Sequence, residues 1–132
     1  MSISNLANNN LASSGINGEF TTTLLNAVGT PTLNVAYRLR DGWVDLELVR
    51  QVFTADGVGV IVSLADDLPE IIRPGGTDNV YGFVRCVDDS AFKVGQVVVT
   101  PAGNVSFNSD VTGAGFDNAC EINRYSIRWA LD

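Results

Sequence analysis

Histidine is missing altogether from this chain, methionine occurs once and cysteine twice. Without histidine there is no usual general base, no Ser-His or Cys-His nucleophile pair and no common zinc ligand set. The two cysteines, Cys86 and Cys120, are too few for a tetrahedral metal site. They are able to pair, although two buried free thiols are the simpler reading for a protein made in a reducing cytosol. Cations are also scarce. Eight Lys and Arg face fifteen Asp and Glu, for a net charge of −7. A phosphate backbone is held chiefly by Lys and Arg, so no nucleic-acid partner is expected. No apolar run reaches the roughly eighteen residues of a membrane span, so no membrane insertion is expected. The opening Met-Ser-Ile-Ser-Asn lacks the basic and apolar regions of a secretory leader. No phosphate-binding loop occurs, and Gly57 and Gly59 precede an expected strand rather than a helix, which rules out a dinucleotide fingerprint. No cofactor is expected.

What remains is patterned for β-structure. Apolar residues make up 45% of 132 residues, enough for one domain with a real core. Glu19 to Leu25 reads as a strand favoured by Phe20 and a threonine run. Leu33, Val35, Tyr37 and Leu39 alternate strictly with polar or small residues, as a half-buried strand does. Asp41-Gly42 predicts a tight hairpin into Val44, Leu46 and Leu48. The stretch from Trp43 to Phe53 also fits helical spacing, but the turn and the β-branched content favour strand. Val58 to Leu64, Val80 to Val87, Phe92 to Thr100, Val105 to Phe107 and Ile122 to Leu131 complete the set. The last places Tyr125, Ile127, Trp129 and Leu131 on one face. Short strands with turns every 8–12 residues or so predict an antiparallel, jelly-roll-like β-sandwich of about eight strands over residues 18–132.

The segment Leu68-Pro69-Glu70-Ile71-Ile72-Arg73-Pro74-Gly75-Gly76 divides this pattern. Its prolines fix φ and push their predecessors toward extended geometry, so a rigid extended crossing between two sheets is expected. From here to the C-terminus, strand and turn types resemble the C-terminal domains of phage tail-fibre and virion surface proteins. The matching residues are Leu68, Pro69, Arg73, Pro74, Gly95, Gly103, Phe116 and Trp129, and they cover about half the chain. The resemblance implies a homotrimeric β-sandwich at the surface of a virus particle, with no catalytic chemistry. Apolar residues on both faces around Tyr81 to Phe83 and Val97 to Val99 fit an intersubunit surface, and equally a sheet covered on both sides.

Two functional expectations follow. The first is a non-enzymatic virion structural protein, a homotrimeric capsid decoration or cement protein, with an N-terminal arm over residues 1–17. In that arm Ile3, Leu6, Leu11 and Ile16 recur in an Asn- and Ser-rich background, as if to dock on a neighbouring subunit or another virion protein. The same residues also suit an arm packed on its own domain or an unstructured extension. The second is a receptor-binding fibre tip that recognises a host-surface glycan through loop aromatics, with Trp43 and Phe116 as the candidate surface. Trp43 equally suits a cross-strand pair that covers its hairpin. Asp45, Glu47, Glu70 and Glu121 are the carboxylates available for acid–base work, but no spacing sets two at a working separation. Asp66-Asp67 and Asp88-Asp89 are oxygen-rich enough for calcium, yet suit turns better.

Overall fold

The structure is a computed structural model and describes residues 15–131. Ten strands lie among the described residues: β1 (Ile16–Leu25), β2 (Thr32–Arg40), β3 (Trp43–Leu48), β4 (Gln51–Thr54), β5 (Val62–Leu64), β6 (Val80–Asp88), β7 (Ala91–Val99), β8 (Val105–Asn108), β9 (Ala119–Ile122) and β10 (Tyr125–Ala130). All pairings are antiparallel. They form one continuous curled sheet in the order β10-β3-β2-β1-β5-β8-β7-β6-β9-β4. The all-β class matches the sequence reading. The strand number does not, and the single curled sheet replaces two separate layers.

The larger count arises at two breaks. Trp43 to Leu48 pairs with Tyr125 to Ala130, and Gln51 to Thr54 pairs with Ala119 to Ile122. The two pairings keep one register, so residues 43–54 and 119–130 form a single bent ribbon. Two residues on each strand fall out of the ladder at the bend, Val49-Arg50 and Asn123-Arg124. Beyond the bend the ribbon joins a different part of the sheet, with β3 beside β2 and β9 beside β6. Such bent strands are a common way for a sheet to turn a corner. β1 does the same, pairing through Thr23 with β2 and then through Leu24 and Leu25 with β5. The curl therefore has a first half, β10-β3-β2-β1, and a second half, β5-β8-β7-β6-β9-β4.

The inner surfaces of the two halves make the core. Val35, Val44, Leu46, Leu48, Ile127 and Trp129 come from the first half, and Val62, Leu64, Val84, Val97, Val99, Val105 and Phe107 from the second. Contacts bridge the halves directly. The Phe107 and Tyr125 rings meet edge to face at 6.1 Å. Gly82 leaves room for Ile127, whose side chain a Cβ there would strike. The expected inward row of the last strand is thus confirmed for Ile127 and Trp129, and Tyr125 is half-buried beside them.

The predicted Asp41-Gly42 hairpin turn forms, and a second one matches it. Asp41 and Gly42 have φ of 52° and 79°, the left-handed pair that a two-residue hairpin needs. Asp89 and Ser90 do the same between β6 and β7, with φ of 49° and 72°. Other expectations change. The strand expected from Val58 is ordered as β5 only from Val62. Gly59 is left-handed at φ 67°, and Val60 makes only an isolated bridge to Phe116. The Pro69–Pro74 segment holds a 3-10 turn at Glu70–Ile72 rather than a fully extended run. It links β5 to β6 within the second half and does not cross between layers. Its rigidity comes from burial. Leu68 and Ile72 are fully enclosed, Arg73 Nε donates to the Leu68 carbonyl at 2.8 Å, and Trp129 Nε1 donates to the Ile72 carbonyl at 3.0 Å.

The last residues of the expected arm change place. Ile16 and Asn17 belong to β1, opposite Leu39 and Arg38, because the alternation of β2 extends far enough to pair them. Ile3, Leu6 and Leu11 lie outside the described residues.

Candidate functional site

Because side chains alternate across a strand, a closed inner core leaves one outward row per strand to interact. In the first half those rows are polar. Asn17, Arg38, Asp45 and Arg128 stand in register across four strands, and Glu19, Ala36, Glu47 and Ser126 form the next row. The small Ala36 and Ser126 make the floor of a concavity of about 600 Å³ bordered by Asn17, Glu19, Arg38, Asp45 and Glu47. A second concavity of about 210 Å³ adjoins it, sharing Arg38 and Asp45 and reaching Arg40 and Trp43.

The charged side chains here are held in place. Arg128 forks onto Asp45, with Nε at 2.8 Å from Oδ1 and a second amine at 3.3 Å from Oδ2. Arg124 donates to Glu47 at 2.6 Å, Arg38 Nε to Asn17 at 3.1 Å, and Asn34 to Glu19 at 3.2 Å. The Arg128 hydrogen bond lowers the Asp45 pKa, partial burial opposes it, and the charges of Arg128, Arg38 and Arg40 add to the lowering. Asp45 is therefore an ionised acceptor at neutral pH. Trp43 lies at the end of this face, 48% exposed, with the Arg128 guanidinium 5.8 Å from its ring centroid. It covers its hairpin and still offers an open ring.

In the second half, the outward positions of β6 and the start of β7, with Val52 of β4, are largely apolar. Tyr81, Phe83, Phe92, Val94 and Val52 are all more than half exposed. Arg85 stands among them, 4.4 Å from the Phe92 ring centroid, and a shallow groove of about 410 Å³ runs between Phe83, Arg85, Phe92 and Val94.

Phe116 is not a surface residue. It is 0% exposed and meets Phe53 edge to face at 5.3 Å. Its backbone is fixed by reciprocal hydrogen bonds with Val60, which turns the ring inward. Of the two aromatics expected at a recognition surface, only Trp43 is placed where a ligand reaches it. Of the residues the sequence offered as an intersubunit surface or a covered sheet, Tyr81 and Phe83 are exposed and Val97 and Val99 are buried; Phe92, which the sequence did not single out, joins the exposed set. Their signal is the alternation around Gly82 and Gly95, which marks a strand but not which face stays open.

The acidic pairs and the thiols serve the fold. Asp66 accepts from Thr22 at 2.8 Å. Asp88 is buried, takes Lys93 at 2.9 Å on one oxygen and the Asp117 backbone N–H at 2.6 Å on the other. Burial acts to raise its pKa, but the Asp117 amide and Lys93 outweigh it and the net shift is downward. Glu121 forks with Arg50 at 2.7 and 2.9 Å. The candidate acid–base carboxylates Asp45, Glu47 and Glu121 are thus each held by an arginine, and Glu70 sits in the 3-10 turn. No cluster of three or more potential metal ligands occurs among the described residues. Cys86 and Cys120 are both free and buried. Burial pushes each thiol up to about 11, and each donates to a backbone carbonyl, Cys86 to Ser109 at 3.1 Å and Cys120 to Asp117 at 3.1 Å.

No family model and no curated protein matches this sequence. Among solved structures, the fold is similar to that of the reovirus attachment protein sigma1, determined in complex with α-2,3-sialyllactose. The TM-score is 0.54 at 9% identity, over 89% of this chain and 67% of that one.

Proposed function

We propose that this chain is a non-enzymatic domain at the surface of a virus particle, and that the outer face of β1, β2, β3 and β10 recognises an acidic host-surface glycan. The observation that carries this reading is the distribution of cations. The protein has eight cationic side chains and a net charge of −7. Four of the eight, Arg38, Arg40, Arg124 and Arg128, stand around the Ala36–Ser126 floor. An acidic ligand is repelled by the molecule as a whole; at this face Asp45 and Glu47 hold Arg128 and Arg124, and Arg38, bonded to the neutral Asn17, is the cation that meets the ligand. Asn17, Asp45, Glu47 and Ser126 supply amide, carboxylate and hydroxyl partners for sugar hydroxyls, and Trp43 supplies a flat apolar surface at one end. The shared fold with an attachment protein solved in complex with α-2,3-sialyllactose supports the same class of ligand.

A glycan array followed by titration with α-2,3-sialyllactose tests the proposal. Binding to sialylated and not to neutral glycans is expected, with Arg38→Ala weakening it about tenfold or more through loss of a charge-assisted hydrogen bond. No array signal, or binding unchanged in Arg38→Ala, contradicts it.

A second reading is a homotrimeric decoration protein that caps the capsid. The exposed aromatic face of the second half supports it, since such a surface suits assembly better than solvation. Capsids that fail to bind the purified protein would remove that reading.

A further inference from the structure

We infer that the outer face of β6, β7, β9 and β4 is a homotypic interface, covered in solution by a second copy of this chain. The inference gives the assembly reading its surface and rests on that reading, while standing independently of glycan recognition.

The area is the first argument. A buried aromatic side chain removes roughly 150–250 Å² from water. Tyr81, Phe83 and Phe92 are 58%, 69% and 71% exposed. With the exposed parts of Val52 and Val94, the apolar surface comes to roughly 500–600 Å², the upper end of what a monomer leaves uncovered. Adding the polar rim brings it near the roughly 800 Å² that each partner contributes to a standard interface. The residues are also contiguous. Phe83 and Val94 flank Arg85, while Phe92 pairs with Val87, which in turn pairs with Glu121, the partner of Val52.

Charge decides the occupant. An acidic protein surface is poorly matched to another copy of itself over most of its area. This face is the exception, because its charges nearly cancel: Arg85 and Arg50 stand with Glu121, which Arg50 holds. A face whose charges nearly cancel meets another copy of this acidic chain without the repulsion that the rest of the surface would impose. A strongly basic partner would find little to hold here, and an acidic one would meet a single arginine. Arg85 is suited to desolvation, since a guanidinium stacked on an aromatic ring is more weakly hydrated than an ammonium. The flanking charges Lys93 and Arg50 are already engaged with Asp88 and Glu121. Long-range repulsion between copies of charge −7 should make the association tighter as salt is added.

The test is the mass of the full chain by sedimentation across a concentration series. The wild type should exceed the 14.1 kDa monomer, and the double variant Phe83→Asp/Phe92→Asp should raise the dissociation constant at least about a hundredfold, the effect of removing two central anchors. Both positions face outward, so unfolding is not expected, and Trp43→Asp on the opposite face should leave the mass unchanged. A footprint of the wild type by hydroxyl-radical labelling needs no variant. Phe83 and Phe92 should be protected at high concentration and labelled on dilution. A monomer at every concentration overturns both this interface and the assembly reading. An oligomer whose mass survives the double variant overturns this interface alone. Protection that ignores dilution places the chain's own N-terminal residues on the face and overturns it as well, as does a monomer that instead captures a different virion protein.

Discussion

The two outward faces of this molecule stand on one core and have opposite chemistry. On β10, β3, β2 and β1 the outward positions hold Asp45, Glu47, Arg38 and Arg128, cross-linked by forked and single ion pairs over a small-residue floor. On β6, β7, β9 and β4 the equivalent positions hold Tyr81, Phe83, Phe92, Val94 and Val52. Both halves bury their inward rows alike. The difference teaches that the inward rows determine the fold, and that the outward rows are free to be specialised. A polar, concave face suits a small polar ligand. A flat aromatic face suits a protein surface.

That division is broken most easily from the inside. Phe116→Ala should destabilise the fold by about 3–5 kcal/mol, the usual cost of emptying a buried aromatic site, measured by urea denaturation at neutral pH. A cost below about 1 kcal/mol would mean that the Phe53–Phe116 contact does not hold the core. Asp88→Ala should cost about 2–3 kcal/mol, because it strands Lys93 and the Asp117 amide. The same residue sets an acid limit. Its folded pKa lies below the ordinary 3.8, so its stabilisation is present above that value and is lost as the pH falls through the lower folded value. Asp88→Asn should flatten the stability profile below about pH 4, and an unchanged profile would assign the acid sensitivity elsewhere. Smaller and opposite in sign is Tyr125→Phe. The Tyr125 hydroxyl is buried with no hydrogen-bond partner among the described residues, and burial raises its pKa well above 10.0. Removing that oxygen should stabilise the fold by about 1 kcal/mol, read as a higher melting temperature. A lower one would show that the hydroxyl is satisfied. Least of all, Arg128→Ala should change stability by no more than about 0.5–1 kcal/mol, since Arg128 and Asp45 form an exposed pair. A larger loss would give the polar face a structural role and weaken the comparison.

Much of this is legible in the sequence, for reasons that also explain what is not. Leu33, Val35, Tyr37 and Leu39 and the Asp41-Gly42 turn announce β2 and β3, because a period of two and a left-handed turn are local properties. The bend at Val49-Arg50 is hidden. Val44, Leu46 and Leu48 face inward, and then Phe53 does, so the alternation slips phase at the corner. With the exposed Val49 and Val52 added, apolar residues fall three and four apart across the corner, which is why the stretch also fits a helix. The partner of β4 is distant in sequence, and only the paired register shows that both strands bend together. The Pro69–Pro74 segment is legible as rigid, but its 3-10 turn depends on the pocket that receives Ile72 beside Trp129. The sites are less legible than the fold. Trp43 stands out because it adjoins a turn signal. Phe116 misleads because a glycine-rich loop reads as exposed, whereas its bridge to Val60 draws the ring into the core. The polar concavity is invisible because Ala36 and Ser126 come from strands near opposite ends of the chain and carry no motif.

The most direct measurement is an amide-resolved nuclear magnetic resonance titration of the isotope-labelled protein with α-2,3-sialyllactose. The account predicts shifts confined to the rows of Arg38, Asp45, Glu47 and Ser126, with Phe83, Arg85 and Val94 unmoved. Shifts centred on the aromatic face, or none at saturating glycan, would contradict it.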